Sequence, residues 1–233
     1  AAEGGSNTVS TAFYRFFLSL LPLFFYLRAK KIPLRIPKEE AKHILLITIF
    51  GYGGTALLLF QSYNYIPSGM ATTLHFSYPV FVVLGSLIFL KEKVKPVKIL
   101  CVGLCMTGIV FFYNGGGAIN PLGILLAFTS GITYAFYILY LARSPLAGMD
   151  IFKLIFHMHI VASFLFFFLA LALGSFPVAV EPSGWVALVI LATGAAFIGV
   201  YFFQKGVRLT GPQNAAILST LEPITSLLVG VVI

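Results

Sequence analysis

Apolar stretches of about 20 residues recur along the chain, each bounded by charged residues, glycine or proline. A helix needs about this many residues to cross the hydrocarbon core of a bilayer. Only 9% of the residues are charged and 59% are hydrophobic, so too few polar groups exist to cover a water-soluble surface. The stretches are too long for barrel strands and do not alternate in polarity. The sequence therefore predicts a polytopic, all-α membrane protein and excludes a soluble enzyme or a nucleic-acid-binding domain.

Eight stretches qualify as transmembrane helices. They are roughly 12–27, 44–62, 69–90, 97–113, 121–141, 152–173, 184–203 and 212–232. Lys and Arg cluster in alternate connections, at 28–43, 91–98, 142–153 and 204–211, whereas 63–68, 114–120 and 174–183 contain neither. Because basic loops tend to stay in the cytoplasm, the basic connections are predicted to be cytoplasmic. Both ends of this chain are then expected to face outward.

The chain contains an internal repeat centred on two prolines. Residues 65–89 and 209–233 align without a gap when Pro79 is set against Pro223, at an offset of 144 residues. This offset covers five spans, an odd number, so the two copies are expected to face opposite ways across the bilayer. Inverted repeats are typical of secondary transporters, whose binding sites lie near the membrane midplane between the copies.

The repeated segments also resemble a known family. Residues 65–71 read YIPSGMA and residues 89–93 read FLKEK, which resembles the EamA domain of the drug/metabolite transporter superfamily. Residues 215–223, AAILSTLEP, are similar to the signature of that family, and Arg15-Phe16 resembles a pair in its second helix. The resemblance implies ten helices in two inverted repeats of five, with both termini of the intact protein cytoplasmic, in the plasma or inner membrane.

On this resemblance the eight spans correspond to helices two to nine. The first repeat then occupies residues 1–114 and the second repeat residues 115–233. We expect the gene to encode the first and tenth helices beyond the two ends, and the chain without them to be inactive. Both flanking helices would be needed to enclose a polar midplane.

The implied function is secondary-active transport by alternating access, with export of small metabolites, amino acids or drugs. The alternatives are a membrane receptor or scaffold and an intramembrane enzyme, but the spans contain no nucleophile motif and no metal-ligand spacing. The expected partners are a small-molecule substrate, the lipid bilayer and a proton as coupling ion, and a homodimer is compatible with the sequence. We expect no cofactor, no metal and no nucleic acid.

Polar groups at membrane depth are costly, so each is a candidate for function. Glu222 lies halfway along its span beside Pro223, which should kink the helix and free the Ser219 carbonyl. Glu222 could line a substrate or ion site, or it could be a protonated structural residue. Tyr78 and the kink residue Pro79 occupy the equivalent place in the first copy.

His75 lies one turn before Tyr78 and could accept a proton or bond to a neighbouring helix. Arg15 could bind a substrate carboxylate, pair with an acid such as Glu222, or extend to outer headgroups. His157 and His159 lie about 200° apart around one helix and are expected to pack rather than to bind a metal. The remaining candidates for the lining of a central cavity are Tyr52, Thr72, Tyr134, Tyr137, Tyr201 and Asn214.

Overall fold

The computed structural model describes residues 8–112, 120–174, 182–222 and 225. Within these ranges the chain forms helices, turns and connecting loops, with no strand. The α-helices are α1 (Thr8–Ala29), α2 (Lys38–Leu46), α3 (Gly53–Ser62), α4 (Ser68–His75), α5 (Tyr78–Phe89), α6 (Pro96–Phe112), α7 (Pro121–Arg143), α8 (Ile151–Ala172), α9 (Pro182–Ile190), α10 (Val200–Thr210) and α11 (Pro212–Leu218).

Six helical segments are long and apolar enough to cross a membrane. They are Thr8–Ala29, Lys38–Ser62, Ser68–Phe89, Pro121–Arg143, Ile151–Ala172 and Gly184–Thr210. Many large apolar side chains on them are exposed, such as Phe25 at 62% and Phe50 at 64%. A surface of this kind is suited to lipid rather than to water. The prediction of an all-α membrane protein is confirmed.

The other two expected spans are only partly represented. Helix α6 has 17 residues and covers most of the expected span 97–113. The expected span 212–232 begins with α11, but Pro223 and most of the residues after it lie outside the described ranges. The boundary expected between residues 114 and 115 also lies outside them.

The chain divides into two compact units that do not follow the order of the sequence. The first unit comprises Ala1–Gly53 and Ser144–Lys205, and the second comprises Gly54–Arg143 and Gly206–Ile233. Each unit therefore combines segments from both copies of the repeat.

In the first unit, α1 and α8 pack along their whole lengths and run antiparallel. Near one end the rings of Tyr26 and Phe152 are 4.2 Å apart, and towards the other end those of Phe13 and Phe167 are 5.8 Å apart. Both helices have 22 residues, and their starts are 143 residues apart. The two helices therefore occupy nearly equivalent positions in the two copies of the repeat. They pack against each other in antiparallel orientation.

In the second unit, α7 packs against α4 and α5, and α11 packs against α5. Gly131 of α7 faces the junction between α4 and α5, where an added Cβ would lie 3.0 Å from the His75 carbonyl oxygen. Only glycine leaves enough space for this close approach. Helices α5 and α11 are also antiparallel, because Tyr78 bonds to Ser219 while Glu92, beyond the far end of α5, bonds to Gln213.

Two π-helical segments interrupt the second and the last of the six membrane-spanning helices. They cover Ile47–Tyr52 and Leu191–Gly199, so they begin 144 residues apart, the same offset that separates Pro79 from Pro223. A π-segment adds one residue to a helical turn and re-aims the side chains next to it. The first π-segment carries Tyr52, one of the candidate site residues, on its last position.

The regular helix is interrupted just before the first repeated proline. Helix α4 ends at His75, Phe76 and Ser77 form a turn, and α5 begins with Pro79 in its first turn. Proline is favoured in the first turn of a helix because its missing N–H would have no helical partner there. The prediction of a free Ser219 carbonyl was wrong, because the Glu222 N–H donates a hydrogen bond to this carbonyl at 3.0 Å.

Candidate functional site

A chain of hydrogen bonds crosses the core of the first unit and has His159 at its centre. Ser19 Oγ donates to the Phe16 carbonyl at 2.6 Å, so it accepts from His159 Nδ1, which lies 2.5 Å away. His159 Nε2 is then an acceptor, and the Tyr52 hydroxyl donates to it at 3.2 Å. His159 and Ser19 are fully buried. Both ring nitrogens are satisfied, as expected for a neutral imidazole that holds three helical segments together.

Arg15 lies one turn before Ser19 on α1, where its side chain is partly buried. Its Cζ lies 5.8 Å from the centroid of the Phe16 ring, and its charge acts on both Tyr52 and His159. Its Nε is buried and has no hydrogen-bond partner among the described residues.

In the second unit a similar relay joins α4 and α7. Ser130 Oγ donates to the Ala127 carbonyl at 2.5 Å, so it accepts from His75 Nδ1 at 2.9 Å. His75 is buried, and its ring lies 5.4 Å from that of Tyr134. The structure thus brings His75 into a cluster with Tyr134, while Nε2 remains an acceptor.

The same cluster contains a contact between the two copies of the repeat. Ser219 Oγ donates to the Ala216 carbonyl and accepts from the hydroxyl of Tyr78, which is buried. The Tyr78 ring meets Tyr134 edge-on at 4.8 Å. Glu222 is exposed, but its charge acts on Tyr78. His75, Tyr78, Tyr134 and Glu222 therefore belong to one region.

The other predicted site residues are distributed more widely. Tyr137 is buried, with its ring 5.6 Å from Tyr134, so it extends the cluster in the second unit. Thr72 donates to the Ser68 carbonyl of its own helix, and Asn214 donates to the Thr210 carbonyl. Tyr201 stacks on Phe152 at 4.3 Å, near the beginning of α8 and away from His159.

A polar chain also joins the two copies at one end of the second unit. Lys98 donates to Oε1 of the buried Gln213 at 3.0 Å, and Gln213 donates to Glu92 at 3.0 Å. Lys98 and Glu92 lie in the basic connection 91–98 that is predicted to be cytoplasmic. Gln213 was not among the predicted site residues.

The hydrogen bonds of His159 were not predicted from the sequence either. Packing was expected for this residue, but its partners are 140 and 107 residues away in sequence. The sequence contained one signal for these hydrogen bonds. Under the 144-residue offset, His159 is the counterpart of Arg15, and Ser163 is the counterpart of Ser19. In the described part of the chain, no group of three or more His, Cys, Asp or Glu side chains could hold a metal ion.

Comparisons with known proteins agree with this architecture. The profile of the EamA-like transporter family matches the chain twice, over residues 2–114 and 121–233. The uncharacterized inner membrane transporter YedA of Escherichia coli K12 is 26% identical over 216 residues, which cover 91% of this chain and 68% of the relative. An uncharacterized transporter of Synechocystis is 34% identical over 92 residues, covering 38% of this chain and 28% of that protein.

One protein of known crystal structure shares the fold. It superposes with a TM-score of 0.79 at 22% sequence identity, and the match covers 97% of this chain and 78% of the other. The two matches to the family profile together cover nearly all of the chain, one for each copy of the repeat. The chain is a multi-pass membrane protein that belongs to the EamA-like transporter family, within the drug/metabolite transporter superfamily.

Proposed function

We propose that the protein is a secondary-active transporter that exports small metabolites, amino acids or drugs by alternating access. The contact between equivalent helices carries this proposal. Helices α1 and α8 are antiparallel in the first unit, as are α5 and α11 in the second. An inverted repeat predicts both pairings, and repeats of this kind allow a transporter to exchange an outward-open state for an inward-open one.

The polar residues support a site within this architecture. Each unit contains a buried histidine that is hydrogen bonded to a serine of another helix, His159 to Ser19 and His75 to Ser130. Polar groups are retained at membrane depth mainly where they bind cargo, move protons or pair helices. We assign Glu222, His75, Tyr78 and Tyr134 to substrate binding or to coupling with a proton.

The contact between Tyr78 and Ser219 suggests a mechanism. Because these residues belong to the two copies of the repeat, a movement of one copy against the other changes or breaks their hydrogen bond. Glu222 acts on Tyr78 from the same segment as Ser219, so protonation of the carboxylate would alter this contact. In this mechanism the cargo crosses the membrane without being changed chemically. The proposal also includes the ten-helix arrangement and the cytoplasmic position of both termini of the intact protein.

The test is transport in proteoliposomes that contain the protein expressed from its intact gene. Vesicles are loaded with amino acids, amines and dyes, and efflux is measured with and without a pH gradient. Wild-type protein should release at least one class of solute about tenfold faster than protein-free vesicles. Glu222→Gln should remove this release or its dependence on the gradient.

Glu39→Gln is the matched control, because it makes the same chemical change at the exposed start of α2. Glu39 forms only a surface ion pair with Lys42, and such pairs contribute little to stability. Release that is no faster than in protein-free vesicles for every solute would refute the transport proposal. Normal release by Glu222→Gln at every pH would remove Glu222 from the site.

A further inference from the structure

Three side chains form a polar bridge between the two copies of the repeat, at the predicted cytoplasmic end of the second unit. Lys98 Nζ donates to Gln213 Oε1 at 3.0 Å, and Gln213 Nε2 donates to Glu92 Oε2 at 3.0 Å. Lys98 and Glu92 belong to the first copy. Gln213 belongs to the second copy, where it lies in the first turn of α11. The polar bridge therefore ties the start of α11 to the connection between α5 and α6.

Glutamine is well suited to the centre of this polar bridge. A lysine ammonium only donates hydrogen bonds and an ionised carboxylate only accepts them, whereas an amide does both. The two charged partners therefore fix the orientation of the amide. Gln213 is 2% exposed, so its hydrogen bonds are shielded from water. Hydrogen bonds to charged groups are also stronger than those between neutral groups, so the tie is a firm one.

A second hydrogen bond joins the two copies at the same end. Arg143 Nη2 donates to the Leu90 carbonyl at 2.7 Å. Leu90 directly follows α5, where carbonyls have no partner within the helix, and Arg143 is the last residue of α7. The first copy is thus held to the second through both Arg143 and Gln213. The copies cannot separate at this end while both contacts persist.

The counterpart of Gln213 in the first copy is a glycine. Helices α4 and α11 begin 144 residues apart, at Ser68 and Pro212, so Gly69 is equivalent to Gln213. Gly69 has no side chain that could form a bridge, and an added Cβ would meet nothing within 4 Å. The start of α4 lies beside the connection that is predicted to face outward. This position therefore ties the copies at the cytoplasmic end alone, which favours a resting state closed to the cytoplasm.

We propose that the polar bridge is a latch, which holds the two copies together at the cytoplasmic end and must open before cargo can enter from that side. The inference rests on the proposed transport function, because alternating access requires the copies to separate at one end at a time. Loss of the polar bridge should then increase the population of molecules that are open to the cytoplasm. Gln213 is a positioning residue in this proposal and does not bind the cargo.

The first test measures access from the cytoplasm without any cargo. The protein is expressed from its intact gene with every cysteine replaced by alanine. Ala216→Cys then places one thiol on α11, where the native side chain is fully buried. A membrane-impermeant maleimide reaches the cytoplasmic face of inside-out vesicles and the outer face of right-side-out vesicles.

Gln213→Leu should accelerate labelling in inside-out vesicles about tenfold, because it removes both hydrogen bonds of the amide. Labelling in right-side-out vesicles should not become faster. Lys98→Met removes one of the two bonds and should accelerate labelling from the cytoplasm about threefold. If Gln213→Leu does not fold, the partly exposed Lys98 still decides.

Gln61→Leu is the matched control, because it makes the same change at the predicted outer end of the same unit. Gln61 accepts a hydrogen bond from the exposed Asn64 at 2.9 Å, and its replacement should leave both labelling rates unchanged. Labelling of the protein with Gln213 intact that is already as fast as in Gln213→Leu would overturn the proposal. Equal acceleration in both kinds of vesicle would overturn it as well, because it would indicate general loosening.

The second test determines whether the latch opens during transport. Glu92→Cys with Gln213→Cys places two thiols where the native side chains are hydrogen bonded, and a short bifunctional thiosulfonate can join them. Crosslinking should reduce release of the mixture of amino acids, amines and dyes about tenfold, because the state open to the cytoplasm is lost. A reductant should restore release, and neither single-cysteine variant should respond to the reagent.

The two tests separate failure of the latch from failure of the transport function. Release that continues unchanged after crosslinking would refute the latch and keep transport. Labelling that responds to Gln213→Leu in a protein that releases no solute would keep the latch and refute transport.

Discussion

Each compact unit contains one buried histidine. Both histidines have a serine as hydrogen-bond partner at Nδ1, but they differ in what lies at Nε2. His159 and His75 each donate from Nδ1 to a serine that passes its own hydrogen to a helix carbonyl. His159 Nε2 also accepts from Tyr52, whereas among the described residues His75 Nε2 accepts from no neighbour. One ring is therefore fully satisfied, and the other retains an acceptor.

This difference separates a structural group from a functional one. A satisfied buried network fixes helices in one arrangement and contributes stability. A buried ring with one open acceptor contributes less and remains able to bind a proton or a ligand. Among the described residues of the first unit the open groups include Arg15 and Ser163, and the histidine is not one of them. In the second unit His75 itself is open, in the region where Glu222 acts on Tyr78.

The largest expected effect is on stability, from replacement of the two histidines by leucine. His159→Leu removes two buried hydrogen bonds and should lower the free energy of unfolding by about 3 kcal/mol. His75→Leu removes one and should lower it by about 1.5 kcal/mol. Unfolding by sodium dodecyl sulfate in mixed micelles measures both values.

His157→Leu is the control, since it makes the same change two residues from His159. His157 is half-buried and is hydrogen bonded only within its own helix, to the Lys153 carbonyl at 2.8 Å. Its replacement should cost less than about 1 kcal/mol. An equal loss for His159→Leu and His75→Leu would remove the distinction between the two units. The transport rates of the variants should follow a different order from their stabilities. Even the milder substitution His75→Gln should lower the transport rate.

The next largest expected effect on stability comes from substitutions at the two glycines that lie beside these clusters. A Cβ on Gly53 would lie 2.7 Å from the Thr48 carbonyl oxygen of the first π-segment, and one on Gly131 would lie 3.0 Å from that of His75. Backbone atoms cannot yield as a flexible side chain does. Gly53→Ala should therefore cost about 2–3 kcal/mol and Gly131→Ala about 1–2 kcal/mol, measured in the same unfolding assay.

Gly103→Ala provides the matched control on α6, because an added Cβ there meets nothing within 4 Å. Alanine favours the helix over glycine, so this variant should be neutral or up to about 1 kcal/mol more stable. A stabilising Gly53→Ala would show that the turn around the first π-segment is loosely packed and can accept a side chain.

Much of the fold was predictable because the signals for it are local. The length of an apolar stretch determines whether a helix can span the bilayer, and six of the expected spans are present within a few residues of their expected ends. The largest difference is at the last of them, where the helix continues to Thr210 instead of ending near residue 203. Lys205 and Arg208 end the apolar stretch, but they do not break a helix.

The candidate site was harder to predict because hydrogen-bond partners depend on register. The sequence singled out Arg15, His75 and Glu222 as polar groups at membrane depth, but it could not identify their neighbours. His159 became interpretable only when the antiparallel contact of α1 and α8 placed it against Ser19. The π-segments add a residue to a turn, which no periodicity in an almost wholly apolar stretch reveals.

The smallest expected effect concerns the contact between the two copies of the repeat in the second unit. Tyr78→Phe and Ser219→Ala each remove one hydroxyl of the same hydrogen bond. Each should cost about 1 kcal/mol, and the double variant should cost hardly more than either alone, leaving a coupling energy of about 1 kcal/mol. Tyr63→Phe with Ser219→Ala is the control cycle, since Tyr63 contacts Thr72 instead, and the costs of its two substitutions should add.

If the hydroxyl contact breaks during transport, both single variants should also change the transport rate more than their small cost in stability suggests. His159→Gln in the first unit should instead change stability more than the transport rate. Additive costs for Tyr78 and Ser219, with unchanged transport, would show that this contact is incidental and that the open acceptor of His75 works without it.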